Sequence, residues 1–324
     1  AADGEKLSKR KKNYPDPSML FETHGVDSTR MFMYTSTAPQ AQDVRFSEKH
    51  VEEIVKKFTL TLWNTYSFFV TYATIDKWSP HQTKKPSGKK SDNKLDQWIL
   101  SELHGLIKTV TKHMEEYDLT ASTRPMLEFV ENLSNWYIRR SRRRFWKSEN
   151  DADKEHAYAT LHEVLATFAT LLAPFMPMTS DAVFKNLTQK ESVHLEDWPL
   201  PDEKLINISL NSEFALVRKI VTLGHAIRSK KNIKVRQPLA KLQVALKDAK
   251  LKEALKEYLL VIAEELNVKA VEFLDNPEKI AKHVFVPNPR VLGPKYGAQV
   301  QEIIRLCKEG KYTLEKGKIT VNGK

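Results

Sequence analysis

The sequence predicts a mainly α fold, an antiparallel helical bundle followed by a small α/β module. Two observations predict the bundle: apolar residues recur at every third or fourth position over long stretches, and polar turns separate these stretches. A third observation predicts the module, because apolar and polar residues alternate around residues 241–246 and 268–274, on either side of a helical pattern. The chain of 324 residues is long enough for about two or three domains.

The first three bundle helices have the clearest apolar periodicity. It predicts a helix of about seven turns over residues 47–73, with Ser47 as its N-cap. A loop rich in Lys, Pro, Gly and Ser follows at 79–93. The same spacing then predicts helices over 95–117 and 120–137.

The rest of the bundle is shorter. A charged turn is expected at 149–155, followed by a helix over 158–172. A fifth, short helix is expected to begin at a cap formed by Thr179 or Ser180.

The module is predicted to contain one strand-helix-strand unit and a terminal hairpin. Its expected helices cover 212–229, 248–265 and 294–308, and its hairpin strands 312–315 and 319–322 turn at 316–317. The chain is accordingly divided into three regions, 1–45, 46–200 and 201–324.

Charge suggests the class of partner. The chain has 52 Lys and Arg against 41 Asp and Glu, a net charge of +11. This surplus favours a polyanion, most often a nucleic acid, although a basic soluble protein without such a partner is the alternative.

Several functional classes are disfavoured. The single cysteine, Cys307, excludes an internal disulfide and a cysteine-rich zinc site, and it fits a cytoplasmic location. No metal-ligand spacing, phosphate-binding glycine loop or GxSxG motif is present. No apolar run approaches the ~18 residues of a membrane span, so no membrane partner is expected.

Three basic segments are candidate sites, and the first lies near the start of the chain. Lys6 and Lys9, with Ser8 between them, could hold a triphosphate, because two ammonium groups stabilise charge that develops on phosphates. The alternatives are a solvated lysine tail, a localisation signal or a nonspecific phosphate binder.

The second segment, residues 136–146, has five arginines in six residues, interleaved with aromatic side chains. This pattern is typical of RNA phosphate contact and base stacking. Helical spacing places Arg140 and Arg144 on the buried stripe, where they must meet carboxylates or open onto a cleft. The selected RNA-binding residues are Trp136, Arg139, Arg142 and Arg143.

The third segment follows a predicted helix end. Arg228, Lys230 and Lys231 are secondary candidates for RNA phosphate contact. Stabilisation of the helix C-terminus by these cations is the alternative.

Taken in order, these segments resemble the C-terminal part of class I aminoacyl-tRNA synthetases, closest to the isoleucyl enzymes. Residues 3–10 resemble the KMSKS loop, with Leu7 in place of methionine and Arg10 in place of the final serine. Residues 12–17 are similar to the eukaryotic and archaeal-type version. Further matches lie at 135–146, 173–177, 192–199, 235–239 and 264–269.

The resemblance implies an anticodon-binding bundle that docks tRNA(Ile), and a parent ligase that activates isoleucine with ATP and Mg²⁺. It implies that Lys6 and Lys9 contact the ATP phosphates and that Ser8 shapes the loop. The HIGH motif, the catalytic core and the editing domain are not in the chain. We therefore expect the fragment alone to be inactive and to hold no cofactor.

Three alternatives remain open at this point. The chain could be the same region of a valyl or leucyl enzyme. It could also be a non-enzymatic RNA-binding module, or a protein-interaction scaffold whose arginines form ion pairs.

Overall fold

The computed structural model describes residues 5–6, 8, 10–11, 13–80, 91–146, 151–246, 248–274, 287–315 and 318–321. The chain separates into two compact units, Ala1–Phe214 and Ala215–Lys324. The division at 214/215 differs from the boundary at 200/201, and the three-region division stays a prediction.

Helices are the only regular secondary structure in the described residues of the first unit. Its helices are α1 (Pro17–His24), α2 (Val26–Thr35), α3 (Glu48–Ile54), α4 (Leu60–Ile75), α5 (Lys94–Glu115), α6 (Leu119–Asn132), α7 (Arg139–Trp146), α8 (Asp151–Leu172) and α9 (Pro177–Thr188). A tenth helix, α10 (Ile208–Lys230), runs from this unit into the second. Short 3₁₀ turns lie at Ala38–Gln40 and Val193–Leu195.

Side-chain caps fix the start of several helices. Asn93 accepts the Leu95 N–H at the start of α5, and Asp118 accepts the Ala121 N–H at the start of α6. Each cap satisfies a backbone donor that has no partner within its own helix. Helices α5 and α6 therefore begin close to the predicted positions.

The core of the first unit lies where α5, α6 and α8 pack together. Phe168 of α8 is fully buried, with its ring 5.1 Å from that of Phe129 and 6.5 Å from that of Phe58. Trp98 of α5 is also fully buried and stacks on Phe214 at 4.6 Å. These contacts confirm the mainly helical fold class.

Two π-helical turns interrupt helices that the sequence predicts as continuous. The first turn, Val55–Thr59, joins α3 to α4, and the second, Leu133–Ile138, joins α6 to α7. A π-helical turn holds one more residue than an α-helical turn, so each one rotates the following helix face.

Two local predictions for the bundle were wrong, and two helices were missed. Residues 151–155 belong to α8 and not to a turn. Helix α9 begins at Pro177, and its N-cap Met176 makes no side-chain bond, so neither Thr179 nor Ser180 is the cap. Helices α1 and α2 lie within residues 1–45, where the sequence analysis predicts no helix because their apolar periodicity is short.

The second unit contains the predicted strand-helix-strand unit. Strand β1 (Leu239–Ala245) pairs in parallel with β2 (Val268–Leu274), in a register that places Leu239 opposite Val268. Helices α11 (Ala249–Leu255) and α12 (Leu259–Leu266) connect the strands through a 3₁₀ turn at Lys256–Tyr258. Parallel strands need a long crossover connection between them, and these two helices provide it.

In place of the one helix predicted over 294–308, two helices separated by a 3₁₀ turn precede the predicted hairpin. In chain order, these elements are α13 (Pro289–Tyr296), a 3₁₀ turn (Gly297–Gln299), α14 (Val300–Lys308), β3 (Thr313–Glu315) and β4 (Lys318–Thr320). Strands β3 and β4 pair antiparallel as a hairpin, and its predicted turn at 316–317 lies outside the described residues. Within the part of the chain described, no helix is long and apolar enough to cross a membrane.

Candidate nucleic-acid interface

The second π-helical turn decides which face of α7 is buried. The sequence places Arg140 and Arg144 on the buried stripe, but Ser141 and Phe145 hold those positions, at 0% and 1% exposure. The extra residue of the turn moves the buried stripe one position along the chain. The predicted positions of the two arginines are therefore corrected: they lie beside the stripe, at its edge.

Arg144 forms the ion-paired network that the sequence analysis gave as one alternative. Its Nη1 and Nη2 donate to the two carboxylate oxygens of Asp96 at 2.7 and 2.8 Å. Its Nε and Nη2 donate to the carboxylate of Asp153 at 2.9 and 2.7 Å. Bidentate pairing of this kind fixes the orientation of a guanidinium as well as its position.

Asp96 is fully buried, and its carboxylate accepts hydrogen bonds from three side chains. Besides Arg144, it accepts the hydroxyl of Tyr137 at 2.8 Å and that of Ser91 at 2.6 Å. Burial and the charge of Asp96 raise the pKa of Tyr137 well above its usual range. Burial lowers the pKa of Arg144, but its bonds to Asp96 and Asp153 outweigh this and raise the pKa overall. Tyr137 therefore stays neutral and Arg144 stays charged.

The opposite face of α7 is open to solvent. Arg139, Arg142 and Arg143 are exposed, and Trp136 is partly exposed. The Arg139 guanidinium lies 5.9 Å from the centre of the Trp136 ring, within the range of a cation–π contact. The four selected residues are thus all accessible to solvent, and three of them are positively charged.

Trp146 adds an aromatic group that the sequence analysis did not select. It ends α7, its side chain is 55% exposed, and its ring lies 6.4 Å from that of Tyr72. An exposed aromatic beside arginines can stack on an unpaired base. Its place at the end of the arginine run was the only signal in the sequence.

The third basic segment divides into two kinds of residue. Arg228 is 4% exposed, and its guanidinium donates to the carbonyl oxygens of Lys234, Leu266 and Asn267 at 3.1, 2.6 and 3.1 Å. Its selection as a phosphate contact is corrected, because burial and these bonds occupy the guanidinium. Lys230 and Lys231 are exposed, and their selection stays a prediction.

The first basic segment lies in a loop that Asn13 bridges. The Ser8 N–H donates to Asn13 Oδ1 at 2.9 Å, and Asn13 Nδ2 donates to the Lys6 carbonyl at 3.1 Å. Lys6 is exposed and Ser8 partly exposed, whereas Lys9 lies outside the described residues. Asn13 was missed because a single asparagine carries no sequence signal for this bridge.

Across the described ranges, no group of three or more His, Cys, Asp or Glu is arranged to hold a metal ion. The side chains gathered at the three basic segments are cations, hydroxyls and aromatic rings, which are groups that bind phosphates and bases.

Comparison with known families decides the assignment. Residues 96–246 match the anticodon-binding domain of tRNA ligases, and residues 1–47 match the class I tRNA synthetases for isoleucine, leucine, methionine and valine. This chain belongs to the class I tRNA ligase family. The network of Arg144 and the outer face of α7 fall in the first match, and Lys6, Ser8 and Lys9 fall in the second.

The individual relatives are isoleucine–tRNA ligases. The chain is 44% identical to that of Thermus thermophilus over 307 residues, which is 93% of this chain and 29% of the relative. It is 41% identical to that of Protochlamydia amoebophila over 318 residues, 97% of this chain and 30% of the relative. The resemblance to the isoleucyl enzymes is confirmed, and the chain spans less than a third of these relatives.

One structural match is a solved ternary complex of an Agrobacterium radiobacter leucyl-tRNA synthetase with tRNA. The match covers 64% of this chain and 23% of the synthetase chain, at 18% identity and a TM-score of 0.48.

Proposed function

We propose that this chain is the tRNA-binding part of an isoleucine–tRNA ligase and that the outer face of α7 contacts tRNA(Ile). The observation that carries the proposal is the exposed group Arg139, Arg142 and Arg143 within the segment that matches an anticodon-binding domain. The net charge of +11 gives the long-range attraction that an RNA partner needs.

The two kinds of side chain on this face have different tasks. Arg142 and Arg143 project charge into solvent, which suits phosphate oxygens. Trp136, beneath the Arg139 guanidinium, and Trp146, which is 55% exposed, present aromatic surfaces that suit unstacked bases of a single-stranded loop. Lys230 and Lys231 of the second unit are proposed as additional phosphate contacts.

In the complete ligase, the loop around Lys6 is proposed to act on ATP. Lys6 and Lys9 would bind the phosphates and stabilise the pyrophosphate as it leaves, and Mg²⁺ would neutralise part of the same charge. Ser8, whose N–H is fixed by Asn13, would hold the loop in shape. The partners proposed for the chain are thus tRNA(Ile) and the catalytic and editing domains of the ligase, in the cytoplasm.

A titration against tRNAs for isoleucine, valine and leucine tests the proposal. We expect a preference for tRNA(Ile) that persists when the salt concentration is raised moderately. Equal binding of all three that collapses with salt would mean that net charge alone supplies the affinity. A preference for valine or leucine tRNA would assign the chain to the alternative, a sibling enzyme.

A further inference from the structure

Helix α7 has few apolar anchors to hold its orientation. Of its eight residues only Ser141 and Phe145 are buried. The Phe145 ring packs edge-on against Phe68 at 5.1 Å and Tyr158 at 5.0 Å, whereas the Ser141 hydroxyl is buried without a hydrogen-bond partner among the described residues. Helix α7 continues from α6 through the π-helical turn, which sets the orientation of its first residues, but at its far end one large side chain restrains rotation about the helix axis only weakly.

The network of Arg144 restrains this rotation. Successive residues of an α-helix are about 100° apart, so Arg143 lies about 100° and Arg142 about 200° around the axis from Arg144. The Arg144 side chain is 10% exposed, and its guanidinium pairs with both Asp96 of α5 and Asp153 of α8. With Arg144 held in this inward direction, Arg142 and Arg143 face outward. The two carboxylates approach from different helices, so they define a direction for the guanidinium.

We propose that Asp96, acting through Arg144, is a positioning residue for RNA binding: it fixes the rotation of α7 and so presents Arg142 and Arg143 to the RNA. This inference rests on the proposed function. Asp96 itself is fully buried and does not touch the ligand. Tyr137, whose hydroxyl also bonds Asp96, ties the same carboxylate to the π-helical turn that precedes α7.

The decisive variant is Asp96→Asn, which keeps the size of the side chain and removes its charge. At a temperature where circular dichroism shows the variant fully folded, we expect roughly tenfold weaker binding of tRNA(Ile) and a flatter dependence of affinity on salt. The control is Ser101→Ala, on the same helix, which removes the buried acceptor of the Asn207 N–H without touching α7. It should lower thermal stability and leave the affinity unchanged.

A double-mutant cycle separates positioning from general stability. In a chain that already has Arg142→Ala and Arg143→Ala, adding Asp96→Asn should cause no further loss of affinity, because the groups it positions are absent. Wild-type affinity for Asp96→Asn, or a full additional loss in the cycle, would overturn the inference.

If Asp96→Asn does not fold, Asp153→Asn replaces it, because the Asp153 side chain is 34% exposed and its removal leaves the Asp96 pair in place. A smaller loss with the same non-additivity is then expected, and unchanged affinity would contradict the inference.

If the two arginine substitutions themselves leave tRNA binding intact, the proposed RNA surface fails and the inference fails with it. If they weaken binding and Asp96→Asn does not, only the inference is overturned.

Discussion

Asp27 Oδ2 accepts the backbone N–H of Thr179 at 2.6 Å, across 152 residues of sequence. Thr179 lies in the first turn of α9, where backbone N–H groups have no partner within the helix. The N-cap residue of α9 supplies no side-chain bond, so the carboxylate of α2 takes that role. Arg30, one turn later in α2, donates to the carbonyls of Pro174 and Phe175 just before α9.

This contact makes Asp27 a test of how α2 is held to the bundle. We expect Asp27→Ala to lower the free energy of unfolding by about 1–3 kcal/mol, because it leaves a partly buried backbone donor without its acceptor. Urea denaturation followed by circular dichroism measures the change. Asp16→Ala removes an exposed cap from α1 and should cost less; equal losses for both variants would contradict the assigned role.

Two helical glycines offer a matched pair of substitutions. A Cβ on Gly224 would lie 2.7 Å from Leu266 Cδ2, whereas a Cβ on Gly105 would meet nothing within 4 Å. We expect Gly224→Ala to destabilise the second unit by about 1–3 kcal/mol through overpacking, since Leu266 is buried. Gly105→Ala should stabilise the first unit by about 0.5–1 kcal/mol. Thermal unfolding of the two variants should therefore shift in opposite directions.

His104 makes the stability of the first unit depend on pH. Burial lowers its pKa from the ordinary 6.5, and the charge of Asp202 opposes this only in part. Its Nδ1 accepts the Asp202 N–H at 3.1 Å. Because the folded state holds the proton more weakly, the contribution of His104 is full above pH 6.5 and declines as the pH falls through the lowered pKa.

Comparison of urea unfolding at pH 7.5 and pH 5.5 isolates this effect. We expect the wild-type chain to lose more stability than His104→Gln over this interval, because glutamine does not titrate there. An equal loss in both proteins would assign the pH dependence to other groups.

The two kinds of residue in the third basic segment should separate in experiment. We expect Arg228→Ala to destabilise the second unit by about 2–4 kcal/mol, because three carbonyl oxygens lose a charged donor. Lys230→Ala with Lys231→Ala should leave the melting temperature unchanged and weaken RNA binding, since both side chains are exposed. A normal melting temperature for Arg228→Ala would contradict the structural role assigned to it.

Local patterns predicted most of the secondary structure. The alternation at 268–274 gave strand β2 with its observed limits, and apolar periodicity gave α5 within about two residues. Arginines expected on the buried stripe were predicted to meet carboxylates or to open onto a cleft, and Arg144, at the edge of the stripe, meets carboxylates. These features depend on residues close together in the sequence, which is why a single sequence reveals them.

The features that were missed depend on residues distant in sequence. Asp96 lies 48 residues from Arg144, and nothing in its own surroundings marks it as the partner. The π-helical turn Leu133–Ile138 has no side-chain signature, so the shift of the buried stripe to Ser141 and Phe145 could not be anticipated. Arg228 looked like a surface cation because two of the three carbonyls it binds, those of Leu266 and Asn267, are distant in sequence.

The affinity of the chain for tRNA(Ile), measured at two salt concentrations with and without Arg142→Ala and Arg143→Ala, tests the central claim most directly. If both side chains meet phosphates, the double variant should bind more weakly, and the slope of log affinity against log salt should fall by about one per arginine. An unchanged slope and affinity, in a variant that unfolds at the wild-type temperature, would contradict the claim that the outer face of α7 binds tRNA.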